Sequence, residues 1–297
     1  MLRRSEPVQT RARARAGFTL IELLVVIAII AVLMGVLLAG VMGAFKAGPR
    51  AQTTSTLSAL ANAINTFGSE TKVPYVPSGT WSGSAWTGPF RLRNSYTSTT
   101  NPNDQSFEAQ YIVRVFGRVT LDNLGNPGLP GNDTSAPVTL DANQTLLFFV
   151  NGLQDNDGQG NVAFRGFQKG QKPFTPFTQG ENRLGPFFGE ITKRQYSAPA
   201  GQFARIIDGW GTPIAYFTAY NAKQTALNSG AYGGANSAGP AGPFFTSTGY
   251  ANPAGFQLIS AGENKQFGAG GNWASVNQQG ADDRANFSPN NLGAGPQ

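Results

Sequence analysis

Residues 20–45 read LIELLVVIAIIAVLMGVLLAGVMGAF, an apolar run with a single acid, Glu22. No residue from Leu23 to Phe45 is charged. A helix needs about 20 such residues to cross the hydrocarbon of a bilayer, so this run is long enough to span one. Lys46 closes it, and Gly48-Pro49 predicts a break or kink beyond. Arg3, Arg4, Arg11, Arg13 and Arg15 precede the run, and cationic residues on that side alone place residues 1–17 in the cytoplasm and the remainder outside.

Those arginines stand against one acid, Glu6, so the rest of the chain is close to neutral although the whole carries +6. The basicity therefore belongs to the N-terminus and not to a nucleic-acid-binding face, and no nucleic-acid partner is expected. Charged residues make up 13% of the chain, against about 25% in an ordinary soluble domain. With 38 glycines and 19 prolines, this describes an uncharged, loop-rich surface more usual outside the cytoplasm. There is no cysteine and no histidine, which removes disulfides, thiolate chemistry, histidine-ligated zinc and Ser–His catalysis together. Asp155, Asp157, Glu181 and Glu190 have no spacing that identifies acid–base chemistry, and no G-x-x-x-x-G-K-[ST] phosphate loop occurs. A non-enzymatic role is expected.

Three readings of the N-terminal segment compete. A secretory signal peptide has an apolar core of about 7–15 residues, and this one is longer, although Ala39-Gly40 imitates a cleavage site. A plain signal anchor accounts for everything except Glu22, which costs about 2–3 kcal/mol at depth. It also leaves the order Gly17-Phe18-Thr19-Leu20-Ile21-Glu22 without a reason. The third reading is a resemblance. GFTLIELLVVIAIIAVL closely resembles the class III signal of type IV prepilins and of type II secretion pseudopilins. The resemblance implies cleavage of the Gly17–Phe18 bond by a prepilin peptidase, N-methylation of Phe18, and an assembly role for Glu22 as the acidic fifth residue of the mature chain. In such filaments that acid is thought to neutralise the terminal amine of a neighbouring subunit, which would set the axial register.

Leu57, Leu60, Ala61, Ile64 and Phe67 recur at helical spacing with polar residues between them, predicting a helix that runs on to about Ser69–Lys72, before Val73-Pro74. Such a stripe needs a sheet to cover it. The expected class is α+β. The resemblance implies a type IV pilin-like fold: a long N-terminal helix, transmembrane in its first half, packed on an antiparallel β-sheet with a large loop-rich insertion. The expected organisation is a leader over 1–17, a transmembrane and assembly helix over 18–46 and the soluble half of the helix over 47–72. A variable β and loop region over 73–200 and a C-terminal sheet over 201–297 follow.

In the middle region QYIVRVFGRVTL (110–121) alternates and predicts a strand around Gly117. TLLFFVNGL (145–153) is a buried strand or a short helix, and the phenylalanines of KPFTPFTQGENRLGPFFGEI are expected to be buried under irregular loops. DNDGQGN (155–161) lacks the glycine and glutamate positions of an EF-hand loop and reads as a polar turn. NAKQTALNSGAYGGANSAGPAGPFFTSTG (221–249) is a low-complexity loop.

Three C-terminal segments extend the resemblance. IIDGWGTPIAYFTAY (206–220) resembles the D-x-W-G-x-P-Y segment of major pseudopilins, followed by a strand. FQLISAGENKQFGAGGNW (256–273) and GADDRANF (280–287) resemble their last strand and calcium loop. Their order points to the major, G-type subunit. The resemblance implies calcium as the one cofactor, held by Asp282 and Asp283 with oxygens from Leu258, Ser260 and Asn286; the ion needs about six to eight oxygens. Glu263, where that family commonly has Asp, and the enlarged loop Ala274–Gln279 depart from the pattern, and an acidic surface turn capped by Asn286 remains the alternative. The implied function is structural: a subunit of a periplasmic, type II secretion-like filament that drives protein export. Its partners would be the prepilin peptidase, other subunits, an inner-membrane assembly platform and a secretion ATPase. A type IV pilin or minor pilin serving adhesion, DNA uptake or motility is the alternative.

Overall fold

The computed structural model describes residues 18–81, 86–96, 106–126, 137–156, 161–178, 182–189, 191–199, 202–218, 241–247, 249–252, 255–276 and 278–294. The leader with Gly17 lies outside them, as do Asp157, Glu181, Glu190 and all of 221–240. The chain divides into two compact units, Met1–Ala47 and Gly48–Gln297.

Helix α1 spans Leu20–Thr71, 52 residues. In the first unit its segment Leu20–Leu38 is long and apolar enough to cross a membrane, and none of it is buried. In the second unit α1 is amphipathic: Leu57, Leu60, Ala63, Ile64 and Phe67 are buried while Ser58, Asn65 and Ser69 face out. Ala61, expected in the stripe, is only half-buried, and Ala63 takes its place. The helix ends where expected. Lys72 adopts a positive φ of 61°, its ammonium donates to Ser69 O, and Val73-Pro74 cannot continue the turn.

Two further helices build the core against this stripe. Of the expected strand at 110–121, residues 110–116 instead belong to helix α2, Phe107–Phe116, and 117–121 are irregular. Ser106 caps it by accepting from Ala109 N, Glu108 lies in its first turn, and Gly117 stops it at φ 72°. Tyr111, Ile112 and Val115 are buried at helical spacing, whereas Val113, which strand alternation would place beside Tyr111 and Val115, is exposed. The ambiguous segment 145–153 lies largely in helix α3, Ala142–Asn151. Asp141 and Gln144 form a reciprocal capping box at its start, and all ten residues are buried.

A helix buried all round must satisfy its polar side chains internally. Asn143 donates to Ile206 O at 2.9 Å and Ile214 O at 2.7 Å and accepts from Ile206 N at 2.8 Å. Gln144 donates to Phe203 O at 2.7 Å, and Arg205 reaches the Asp141 carboxylate at 2.7 Å. Around α3, Phe148, Phe149, Phe167 and Phe174 interlock edge-to-face and tilted. Phe174 of the Phe- and Pro-rich segment is fully buried and Phe187 packs on the core, while Phe177 is 44% exposed under Arg165 and Arg183.

The strands are short and divide among several small sheets. The principal one has the order Ala215–Thr218, Phe256–Ser260, Arg284–Ala285, all antiparallel, with Tyr216 opposite Leu258 and Ile259 opposite Ala285. Its first two strands are buried on both faces. A second places Phe244–Thr246 between Gly249–Tyr250, antiparallel, and Gly271–Asn272, parallel. Two-stranded antiparallel ladders complete the set, among them Gln154–Asn156 with Val162–Phe164, the arms of the expected turn at 155–161. The class is α+β with antiparallel sheets and an apolar N-terminal helix, consistent with a pilin-like fold.

Candidate functional site

The first site is the start of α1. Helix geometry leaves the first four N–H groups of any helix without intrahelical acceptors. Here Thr19 precedes the first helical residue, and Glu22 is the third. Thr19 donates to Glu22 Oε2 from both its backbone N–H and its hydroxyl, each at 2.8 Å. Glu22 N in turn donates to Thr19 Oγ1 at 3.3 Å. This reciprocal capping box also sets a carboxylate where the helix dipole favours negative charge. Glu22 is thus partnered within its own subunit. Phe18, directly before Thr19 in the chain, is 83% exposed. The sequence reading found Glu22 and missed Thr19, although T-x-x-E ahead of an apolar run was the available signal.

The second site is the turn cluster of the C-terminal sheet. Asp283 is wholly buried, with Oδ2 accepting from Gly268 N at 2.9 Å and Oδ1 lacking any partner. Burial, with the nearby Asp282 and Asp208 carboxylates, pushes its pKa up to about 7. Asp282 accepts from Asn264 N at 2.9 Å. Ser260 Oγ donates to Asp208 Oδ2 at 2.6 Å and accepts from Gly262 N. Asn286 Oδ1 accepts from Leu258 N at 2.8 Å, while Leu258 O accepts from Asn286 N at 3.1 Å. The five expected calcium ligands therefore lie along the paired strands Phe256–Ser260 and Arg284–Ala285 and in the residues flanking the latter, and each already has a hydrogen bond with a protein partner. Asp283 Oδ1 is the buried side-chain oxygen among them that has no partner. Among the described residues no group of three or more His, Cys, Asp or Glu side chains is placed to hold a metal.

Asp208, absent from the expected site, organises the cluster. Its Oδ1 accepts from Trp210 N and Thr212 N, both at 2.9 Å, folding D-G-W-G-T into a tight turn. Burial raises its pKa against the pull of these bonds and of Ser260. The turn rests on α1: Gly209 N donates to Thr53 Oγ1 at 3.0 Å, and Thr53 Oγ1 donates to Pro49 O at 2.8 Å. A Cβ at Gly209 would run into the Pro49 carbonyl. An Asp two and four residues ahead of the N–H groups it accepts from is an Asx-turn pattern, which the sequence carried.

No curated protein and no solved structure matches the chain. Residues 12–38 match the family model described as the prokaryotic N-terminal methylation motif, which covers the arginine-rich end of the leader, Gly17-Phe18, the capping box and the exposed apolar helix. The chain therefore carries the prepilin-type class III signal found in type IV pilins and pseudopilins.

Proposed function

We propose that this protein is a pseudopilin, a non-enzymatic subunit of a type II secretion-like periplasmic filament whose polymerisation drives protein export. What carries the reading is the methylation motif laid over Phe18, the Thr19–Glu22 capping box and the exposed apolar segment Leu20–Leu38. The prepilin peptidase cuts between Gly17 and Phe18 and methylates Phe18. The new ammonium then needs an anionic partner in an apolar setting, and Glu22 of a neighbouring subunit supplies it. A paired charge there costs far less than a lone one. The helix holds the subunit in the inner membrane, N-terminus cytoplasmic, and later forms the filament core. An assembly platform and a secretion ATPase act on it, since the chain has no phosphate loop of its own.

Calcium belongs to the same reading. Asp282 and Asp283 would supply its charge, with backbone and hydroxyl oxygens near Leu258, Ser260 and Asn286 completing the shell; the unpartnered Oδ1 of Asp283 supports this. Bound there, the ion would neutralise a buried acid and tie the last loop to the sheet.

Mass spectrometry of the mature protein tests the processing. A chain beginning at methylated Phe18 is expected, and one beginning at Met1 or beyond residue 40 refutes the reading. Glu22→Ala should still be cut but fail to enter filaments; normal incorporation of that variant would sink the assembly role. Deletion should abolish export of secreted proteins, whereas a surface filament with export intact would favour the type IV pilin.

A further inference from the structure

A cleft of about 480 Å³ opens beside the second sheet, lined by Thr246, Tyr250, Asn252, Trp273, Asn286 and Phe287. Small-molecule sites occupy roughly 300–1,000 Å³ and combine aromatic walls with a few placed polar groups, which is the composition here. Trp273 and Phe287 meet at 83° with ring centroids 5.0 Å apart, so the two half-buried rings form a corner. Trp273 stands in a 3-10 turn fixed by Asn272, whose side chain accepts from Ala274 N at 2.9 Å.

The polar walls are held as firmly. Asn252 Nδ2 donates to Phe256 O at 2.8 Å and Asn286 Nδ2 to the same oxygen at 3.3 Å. Asn286 Oδ1 is bound to Leu258 N, and Tyr250 OH donates to Phe217 O at 3.1 Å. The cleft is therefore preorganised, with rotamers set by the sheet rather than by an occupant.

Its chemistry restricts the ligand. No lining residue is charged, so a phosphate, carboxylate or metal ion would enter without a counter-charge. Two amides and a hydroxyl around aromatic faces suit a molecule with apolar C–H faces and a rim of neutral hydroxyls. From this geometry we propose that the cleft is a binding site for a neutral saccharide, whose ring packs into the Trp273–Phe287 corner and whose hydroxyls meet Asn252, Asn286 and Thr246. The proposal is independent of how the chain is processed or assembled.

The test uses the full-length chain in a detergent without a sugar headgroup, titrated calorimetrically with glucose, N-acetylglucosamine, cellobiose and maltose. Saturable binding of at least one sugar is expected. Trp273→Ala should weaken it about tenfold or more, the loss of roughly 1.4 kcal/mol of ring contact, while Trp210→Phe leaves it unchanged. Should Trp273→Ala fail to fold, Trp273→Phe, with its smaller ring, is expected to bind measurably more weakly. No saturable binding of any of the four sugars overturns the proposal. So does unchanged affinity in a folded Trp273 variant, or binding of a proline-rich decapeptide but none of the sugars.

Discussion

At the scale of single residues, two positions govern the C-terminal turns. Asp283 binds its proton more tightly folded than unfolded, because burial raises its pKa from 3.8 to about 7. Its contribution is complete below about pH 4 and is lost as pH rises through about 7, so the unfolding temperature should fall across that window and then level off. Burial of Asp208 pushes in the same direction. Thermal melts in chelator should show the slope, and Asp283→Asn should flatten it. If calcium binds here, saturating calcium should remove the slope from the wild type and leave Asp283→Asn unaffected. Gly209 is the second position. Its amide holds Thr53, and a Cβ would meet the Pro49 carbonyl, so Gly209→Ala should destabilise by about 1–3 kcal/mol in a denaturant titration. An unshifted midpoint would mean that the turn moves freely from the helix.

Among the elements, α3 is the keystone, and its polar residues are more exacting than its apolar ones. Asn143→Ala would remove the Asn143 bonds to Ile206 N and Ile214 O, and one of the two to Ile206 O, which keeps the bond from Ile214 N. A loss of about 3 kcal/mol or more is expected from urea unfolding, since each orphaned buried group costs about 1–3 kcal/mol. Legibility differed element by element for physical reasons. The second half of α1 was readable because an amphipathic helix repeats its apolar face over many turns. Helix α2 was misread because Tyr111, Val113 and Val115 satisfy a period of two while Tyr111, Ile112 and Val115 satisfy 3.6, and over ten residues only tertiary packing arbitrates. The cap Ser106 and the stop Gly117 were the better guides. Helix α3 shows no amphipathic pattern, being buried on every side. At the sites, Glu22 was found through its spacing from Gly17, whereas Asp208 was hidden in a turn whose role depends on strands far away in sequence.

For the whole molecule, the governing feature is a helix whose first stretch has no protein around it. Leu20–Leu38 is apolar and entirely exposed, so the chain should partition with membranes and resist extraction by salt or alkali while yielding to detergent. Recovery in the aqueous fraction would contradict this. Under the proposed function, the same feature decides what could drive polymerisation. Lipid tails are as greasy as leucine, so moving this segment from bilayer to filament exchanges one hydrocarbon solvent for another and yields almost no hydrophobic gain. The bilayer sets the reference chemical potential, and the polymer must better it through close helix packing and polar pairing. Because Glu22 already bonds Thr19 within its own chain, the proposed pairing with a neighbour would count only by the margin over that internal cap. In a filament assembled as proposed, so small a difference would leave assembly readily reversible, with subunits returned to the membrane as well as drawn from it.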